Sequence, residues 1–274
     1  MQDDAQRVFT KRQAPGGSLV GEAAALNWLA EAMSDGGIRV ARPISVREGH
    51  LVEEAIDTCP PTKEAAERIG RALARTHAAG ASGWGVAPDG WQGNYIINFS
   101  TTPTLRASCA SATWGMFFAR YRIRHYLRDL HARRFMSLRD ENVFEQVAAR
   151  LDRGEFDAPQ PQMVVRRGYE AARLHGDLWN GNLLWDSDST NETGGALIDP
   201  MAYGGHAETD LAMLALFGCP YLETIIAAYN EVSPLADGWQ ERVGLHQLAP
   251  LLHHCVLFGA SYVEQALAVA RQYL

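Results

Sequence analysis

Residues 175–182 read His-Gly-Asp-Leu-Trp-Asn-Gly-Asn. Leu183-Leu184-Trp185 follows and, after a polar turn, Ala196-Leu197-Ile198-Asp199-Pro200. Asp177 and Asn182 stand five positions apart across a glycine-containing loop that can fold both side chains toward one point. Two short apolar runs on either side of a turn rich in Asp, Ser, Thr and Asn read as a hairpin. Pairing those runs brings Asp199 beside Asn182. One carboxylate, Asp177, is then free to accept a proton, and the Asp199 carboxylate and the Asn182 amide oxygen are available to a hard cation.

Phosphoryl transfer from ATP calls for that set. Its chemistry is mostly positioning and charge neutralisation, with a base that orients the attacking hydroxyl. Oxygen ligands suit Mg²⁺, which keeps several waters and bridges phosphates. Asp177 is therefore read as the base and Asn182 and Asp199 as the metal ligands. Each would pass for an ordinary turn residue alone; the three at this spacing point to ATP and Mg²⁺.

Upstream of the loop, residues 6–11 form a strand-like segment, and Ala14-Pro15-Gly16-Gly17 reads as a turn. Ser18 caps a helix with Leu19, Ala23, Leu26, Ala30 and Met33 on one face, which ends at Gly36-Gly37. Strand-like stretches follow near 38–46 and 50–57, closed by Pro60-Pro61. Thr62 caps a helix running to Gly80, and a loop rich in glycine and tryptophan covers 80–95. A long helix carries Trp114, Phe117, Phe118, Tyr121 and Leu127, and another covers 140–152. Residues 207–274 read as helices, with a break near Pro234 and another at Pro250. The order predicts an α+β, two-lobed chain, with a small β-rich lobe over 1–57 and a larger, mainly helical lobe over 58–274, and a cleft between them.

The 274 residues carry a formal net charge of −7 and are 47% apolar, enough for a substantial core. This balance argues against nucleic-acid or membrane-surface partners. No run approaches a membrane span, and Met1-Gln2-Asp3-Asp4 does not resemble a signal peptide. Cys59, Cys109, Cys219 and Cys255 form no CxxC pair, so they read as reduced thiols of a cytoplasmic protein.

The His-Gly-Asp-Leu-Trp-Asn-Gly-Asn segment resembles the catalytic loop of the aminoglycoside phosphotransferase superfamily, which has the protein-kinase-like fold. Trp179 points to its fructosamine-3-kinase (ketosamine-3-kinase) branch. Ile198-Asp199-Pro200 with Tyr203-Gly204-Gly205-His206, Glu208-Thr209-Asp210-Leu211-Ala212-Met213, Phe117-Phe118 with Arg122, and Ala228-Tyr229-Asn230 resemble the same branch. So do Pro234-Leu235, Gly238-Trp239 and Leu257-Phe258-Gly259 with Tyr262. The resemblance covers nearly the whole chain from about residue 7. It implies an ATP-dependent kinase acting on the sugar 3-hydroxyl of ketosamines, small molecules or glycated protein lysines, in protein deglycation.

By that similarity Lys11 contacts the α- and β-phosphates and Glu22 is its ion-pair partner. Glu53-Glu54-Ala55-Ile56 resembles the hinge that holds adenine, which puts Glu54 and Ile56 at the nucleotide; read plainly, it is an edge strand with exposed acids. Asp210 resembles the family's buried aspartate that braces the catalytic loop, with His175 in structural support. Trp179 is placed on the sugar face of the substrate or in the core. His253-His254, on an apolar helix, reads as satisfied core. The pattern departs from the family before Lys11, where no glycine-rich loop precedes the lysine; a truncated small lobe and weakened ATP affinity are the expectation. Three other readings stand beside the ketosamine one. The first is a kinase for another small hydroxyl acceptor of aminoglycoside or choline type. The second is a non-catalytic nucleotide-binding protein. The third is a metal-dependent hydrolase using His175, Asp177, Asp199 and His206.

Overall fold

The structure, a computed structural model, describes residues 7–13, 18–47, 49–91, 94–97, 100–105 and 113–274. The turn expected at 14–17 and Cys109 lie outside them. β1 (Val8–Arg12) carries Lys11, and α1 (Leu19–Ala30) follows, extended by a 3₁₀ turn to Asp35. Ser18 caps α1 by accepting the Gly21 N–H, and Gly36 ends the turn in the left-handed region at φ 76°. β2 (Arg39–Val40), β3 (Pro43–Arg47) and β4 (His50–Glu54) complete the first part. Pro43, which has no N–H to give, starts a new strand, so the stretch expected at 38–46 is split in two.

The strands form a sheet in the order β1-β4-β3, antiparallel throughout. β4 is thus the central strand, and the plain reading of 53–56 as an edge strand with exposed acids does not hold. β2 belongs elsewhere, pairing in parallel with β9 (Gly195–Leu197), itself antiparallel to β8 (Leu183–Trp185).

α2 (Lys63–Ala78), capped by Thr62, leads to the hairpin of β5 (Asn94–Ile97) and β6 (Ser100–Pro103). The long aromatic helix is three consecutive pieces: α3 (Trp114–Phe118), a π-helical turn over Ala119–Ile123 and α4 (Arg124–Arg133). α5 (Leu138–Asp152), α6 (Gln162–Arg166) and β7 (Ala172–Leu174) follow, and β7, which runs into the catalytic loop, pairs with β10 (Tyr203–Gly205). α7 (Glu208–Leu216), α8 (Leu222–Val232), α9 (Trp239–Phe258) and α10 (Val263–Ala270) complete the helical lobe. α8 stops at Ser233, before Pro234, but α9 runs through Pro250. The Pro250 carbonyl accepts a bond from His254 Nδ1 at 2.6 Å.

Two apolar cores organise these elements. One gathers Leu26 and Leu29 of α1, Ile69 and Leu73 of α2, Leu178, Leu183, Leu197 and Tyr229; it ties the small lobe's helix to the base of the catalytic loop. The other joins Phe117, Phe118, Tyr126, Phe144, Leu174 and the α9 apolar face. Burying each such large side chain contributes about 1.5–3 kcal/mol. α2 and α8 approach closely because Gly70 has no Cβ: one built there would lie 2.2 Å from the Ile225 carbonyl oxygen.

Candidate active site

The catalytic loop is held by backbone groups. Gly176 adopts φ 82°, and a Cβ on it would meet the Met201 carbonyl oxygen at 2.1 Å, so no other residue fits this corner. The Asp210 carboxylate, at the start of α7, accepts the His175 N–H at 2.7 Å and the Gly176 N–H at 3.0 Å. His77 of α2 meets the same carboxylate through Nε2 at 3.2 Å, and its Nδ1 meets the Tyr229 hydroxyl at 2.9 Å. His175 is buried. Its Nε2–H donates to the Ile198 carbonyl at 2.8 Å and its Nδ1 accepts the Asp177 N–H at 3.2 Å. Burial holds its pKa below the usual value, against the pull of Asp210. A neutral imidazole with both nitrogens engaged is a structural pin between the loop and the strand end.

Asn182 is buried and donates Nδ2–H to the Asp177 carbonyl at 2.8 Å and to Asp177 Oδ2 at 3.1 Å. Its Oδ1 is left over for another partner. Its carbonyl accepts the Ile198 N–H at 3.1 Å, the bond that closes the β8–β9 hairpin over Asp199. Asp199 itself sits at φ 53°, a left-handed conformation that costs a non-glycine residue of order 1 kcal/mol or more. Asp177 is raised from an ordinary 3.8 to about 6, chiefly by burial, with the Asp199 and Asp210 charges adding and the Asn182 amide opposing.

Lys11 reaches this cluster from β1. Its Nζ lies 2.5 Å from Glu22 Oε1 of α1 and 3.0 Å from Glu53 Oε1 of β4, and it also contacts Asp199 Oδ1. These carboxylates raise the lysine's pKa even though burial alone would lower it. Glu22 and Glu53 are themselves raised, mostly by burial. One ammonium among three carboxylates leaves a net negative cluster at the cleft, which favours a divalent cation. Asn182 Oδ1 and the half-exposed Asp199 carboxylate form a hard-oxygen donor pair compatible with Mg²⁺.

Sequence reading missed two members of this arrangement. Glu53 is 2% exposed and shares the inward face of β4 with Leu51, a two-residue alternation that was available as a signal. His77 lies 133 residues from Asp210, and no spacing links them. Glu54 points away from the lysine, toward Arg39 at 2.6 Å. The N–H groups of Glu54 and Ala55 are taken by the Arg42 and Arg7 carbonyls, both at 3.0 Å. Ile56 follows the strand and is partly exposed. Trp179 is 41% exposed at the rim of the loop, with its ring across Gly181, where a Cβ would lie 2.3 Å from it; it is not a core tryptophan. His253 is buried but not satisfied, because its Nε2 has no partner.

The four residues of the hydrolase reading do not form a ligand set. Both nitrogens of His175 are engaged. His206 Nε2 meets the Ala158 carbonyl and its Nδ1 accepts the Glu208 N–H, each at 3.3 Å. Among the described residues His206, Glu208 and His246 could surround an ion. However, Glu208 is clasped by the Arg242 guanidinium at 2.9 and 2.6 Å and meets His246 Nε2 at 3.2 Å, so its charge is already paired.

The fructosamine kinase family profile matches residues 1–274. The chain belongs to the fructosamine kinase family. A probable ketoamine kinase of Synechocystis is 32% identical over 251 residues, covering 86% of this chain and 73% of that protein. The chloroplastic protein-ribulosamine 3-kinase of Arabidopsis thaliana is 30% identical over 283 residues, covering 100% of this chain and 78% of that one. The crystal structure of a candidate fructosamine-3-kinase from Thermobifida fusca superposes with a TM-score of 0.83 at 40% identity, covering 99% of this chain and 86% of that chain. This fructosamine kinase family member thus has the α+β, two-lobed kinase-like fold and is a kinase. No helix among its described residues is long and apolar enough to cross a membrane.

Proposed function

We propose that this chain transfers the γ-phosphoryl group of ATP to the 3-hydroxyl of a ketosamine sugar, a fructosamine or ribulosamine adduct on a small amine or a protein lysine. The observation that carries this reading is the convergence of Asp177, Asn182, Asp199 and Lys11 from three separate elements on one cleft. Asp177 is the base. It is held by the Asn182 amide, and its raised pKa of about 6 makes it a better proton acceptor than a free carboxylate while keeping it ionised at neutral pH. Lys11, fixed by Glu22 and Glu53, holds the phosphates as a point charge. Asn182 Oδ1 and Asp199 would hold Mg²⁺, which when bound neutralises phosphate charge. With the N–H groups of Glu54 and Ala55 already committed, adenine is left the backbone around Ile56. Trp179, exposed at the rim, offers a flat face for the sugar. The chain is proposed to work in the cytoplasm with a small lobe over 1–57 closing on a larger one over 58–274.

The test is ATP-dependent phosphorylation of a fructosamine and a ribulosamine by wild type, Asp177→Asn and Lys11→Met. Phosphorylated sugar from wild type, with a drop of about 10²–10⁴-fold for Asp177→Asn, supports the reading. Wild-type levels of product from Asp177→Asn would remove Asp177 as the base.

A further inference from the structure

Next to Asp177 a small cavity of about 50 Å³ opens behind the catalytic loop, lined also by Gly176, Met201, Tyr203, Arg122 and His253. None of the roles above uses Arg122 or His253. Arg122 is 2% exposed, and among the described residues it has no carboxylate partner. Its Nη1 donates to the Pro103 carbonyl at 2.9 Å and the Tyr121 carbonyl at 3.0 Å, whereas Nε and Nη2 are buried with no partner. These two N–H groups point the same way from the guanidinium, as a fork that matches two neighbouring oxygens. The plane is fixed between two aromatic faces, 4.8 Å from the Phe117 ring centre and 4.3 Å from that of Tyr203. The residue stands in the π-helical turn at Ala119–Ile123, an irregularity that re-aims side chains and recurs at functional sites. Across the cavity, His253 is 7% exposed and stacked on Tyr126 at 5.1 Å and 13°, with Nε2 also unpartnered. Buried polar groups of this kind are ordinarily bonded, and their absence of partners calls for an explanation.

We propose that this cavity is the acceptor's polyol subsite, in which the Arg122 fork and His253 Nε2 bind the sugar hydroxyls neighbouring the one that Asp177 deprotonates. The inference rests on the ketosamine reading above. Size and charge select the ligand. The volume suits a few heavy atoms, or a few waters when no sugar is bound. Asp177 and Asp210 on the wall repel an anion. A neutral hydroxyl satisfies both sides, since it gives its proton toward a carboxylate and accepts one from the guanidinium. Adjacent hydroxyls on neighbouring carbons present the paired oxygens that the fork requires. Of the hydroxyl groups on the wall, those of Tyr126 and Thr102 bond each other at 2.8 Å and that of Thr209 meets His246 at 2.9 Å. The buried nitrogens there without a partner are those of Arg122 and His253.

The test compares kcat/KM for a fructosamine with that for its 4-, 5- and 6-deoxy forms, in wild type, Arg122→Met and His253→Phe. His253→Phe keeps a ring on Tyr126 and guards against an Arg122 variant that fails to fold. In wild type at least one deoxy acceptor is expected to lose about 10–100-fold, the range for a hydrogen bond to a charged group. Arg122→Met is expected to lose a similar factor on the full sugar, with under about threefold left between it and that deoxy form. The KM for ATP should stay unchanged in His253→Phe. Wild type that phosphorylates every deoxy form equally well would overturn the subsite while leaving the ketosamine reading intact. Variants that keep wild-type discrimination would overturn it too, because a merely structural role lowers all acceptors alike. No turnover of any ketosamine by wild type would overturn the acceptor reading and this assignment with it.

Discussion

Replacing Asp177 by Asn should make the protein more stable as it makes it inactive, and the gain should depend on pH. The carboxyl is raised from 3.8 to about 6 because burial and the Asp199 and Asp210 charges disfavour its ionised form. At 1.36 kcal/mol per pKa unit the shift corresponds to about 3 kcal/mol at most, and about 2 kcal/mol is the better figure because the carboxyl still meets the open cleft. The sign follows from proton binding. Between the unfolded and folded pKa values the native state holds more protons than the unfolded chain, so this group's contribution to stability falls as pH rises through that window and is flat above it. The amide does not titrate. Denaturant unfolding without nucleotide should therefore find Asp177→Asn ahead of wild type by about 2 kcal/mol at pH 8, with the gap closing as pH falls toward 4.5. A gap that is the same at pH 4.5 and 8, or a variant less stable than wild type at pH 8, would refute the electrostatic account of this site.

Four further outcomes are expected. For wild type, kcat/KM for the acceptor should fall about tenfold per pH unit below about 6, since only ionised Asp177 accepts the proton; a profile flat from pH 7 to 5 would exclude that group. Asp210→Asn leaves one of the two loop N–H groups without an acceptor and loses the His77 contact, so unfolding free energy should drop by about 1–3 kcal/mol together with kcat, measured by denaturant titration and initial rates. Gly70→Ala should destabilise by about 1–3 kcal/mol despite alanine's better helix propensity, because the new Cβ meets the Ile225 carbonyl; an unchanged melting midpoint would show that α2 and α8 can separate. Lys11→Met should raise the KM for ATP and, with Glu22 and Glu53 left without their cation, lose stability most at pH values where both are ionised.

Those parts of the site that lie close in sequence were legible in it. The Asp177–Asn182 spacing, the hairpin that delivers Asp199, and the Ser18 and Thr62 caps are local features whose geometry a few residues determine. Glu53 is legible from its parity with Leu51, but two adjacent acids in a short strand do not by themselves say which one faces inward. His77 and Tyr229 are not, since their link to Asp210 exists only once α2 and α8 pack through Gly70. The π-turn at Ala119–Ile123 also escaped, because one extra residue per turn leaves the apolar periodicity of so short a stretch nearly unchanged. At Pro250 the expected break did not occur: the helix loses one N–H bond there, and burial of its flanking residues Leu248, Leu251 and Leu252 holds it together.

The pairing of β2 with β9 bears on how the cleft can breathe. Residues 39–40 are stitched in parallel to β9, the strand that leads to Asp199, and the Ala41 N–H donates to the Leu197 carbonyl at 3.0 Å. Beside them Arg39 spans from Glu54 to Asp186, both at 2.6 Å. A jaw fastened in this way has its pivot beside Asp199, the proposed metal ligand. Motion of β1, β3 and the outer half of β4 about that point would let nucleotide enter and leave without disturbing the alignment of Asp199 with Asn182. Amide hydrogen exchange would register this as slow exchange at Ala41 beside faster exchange along β3.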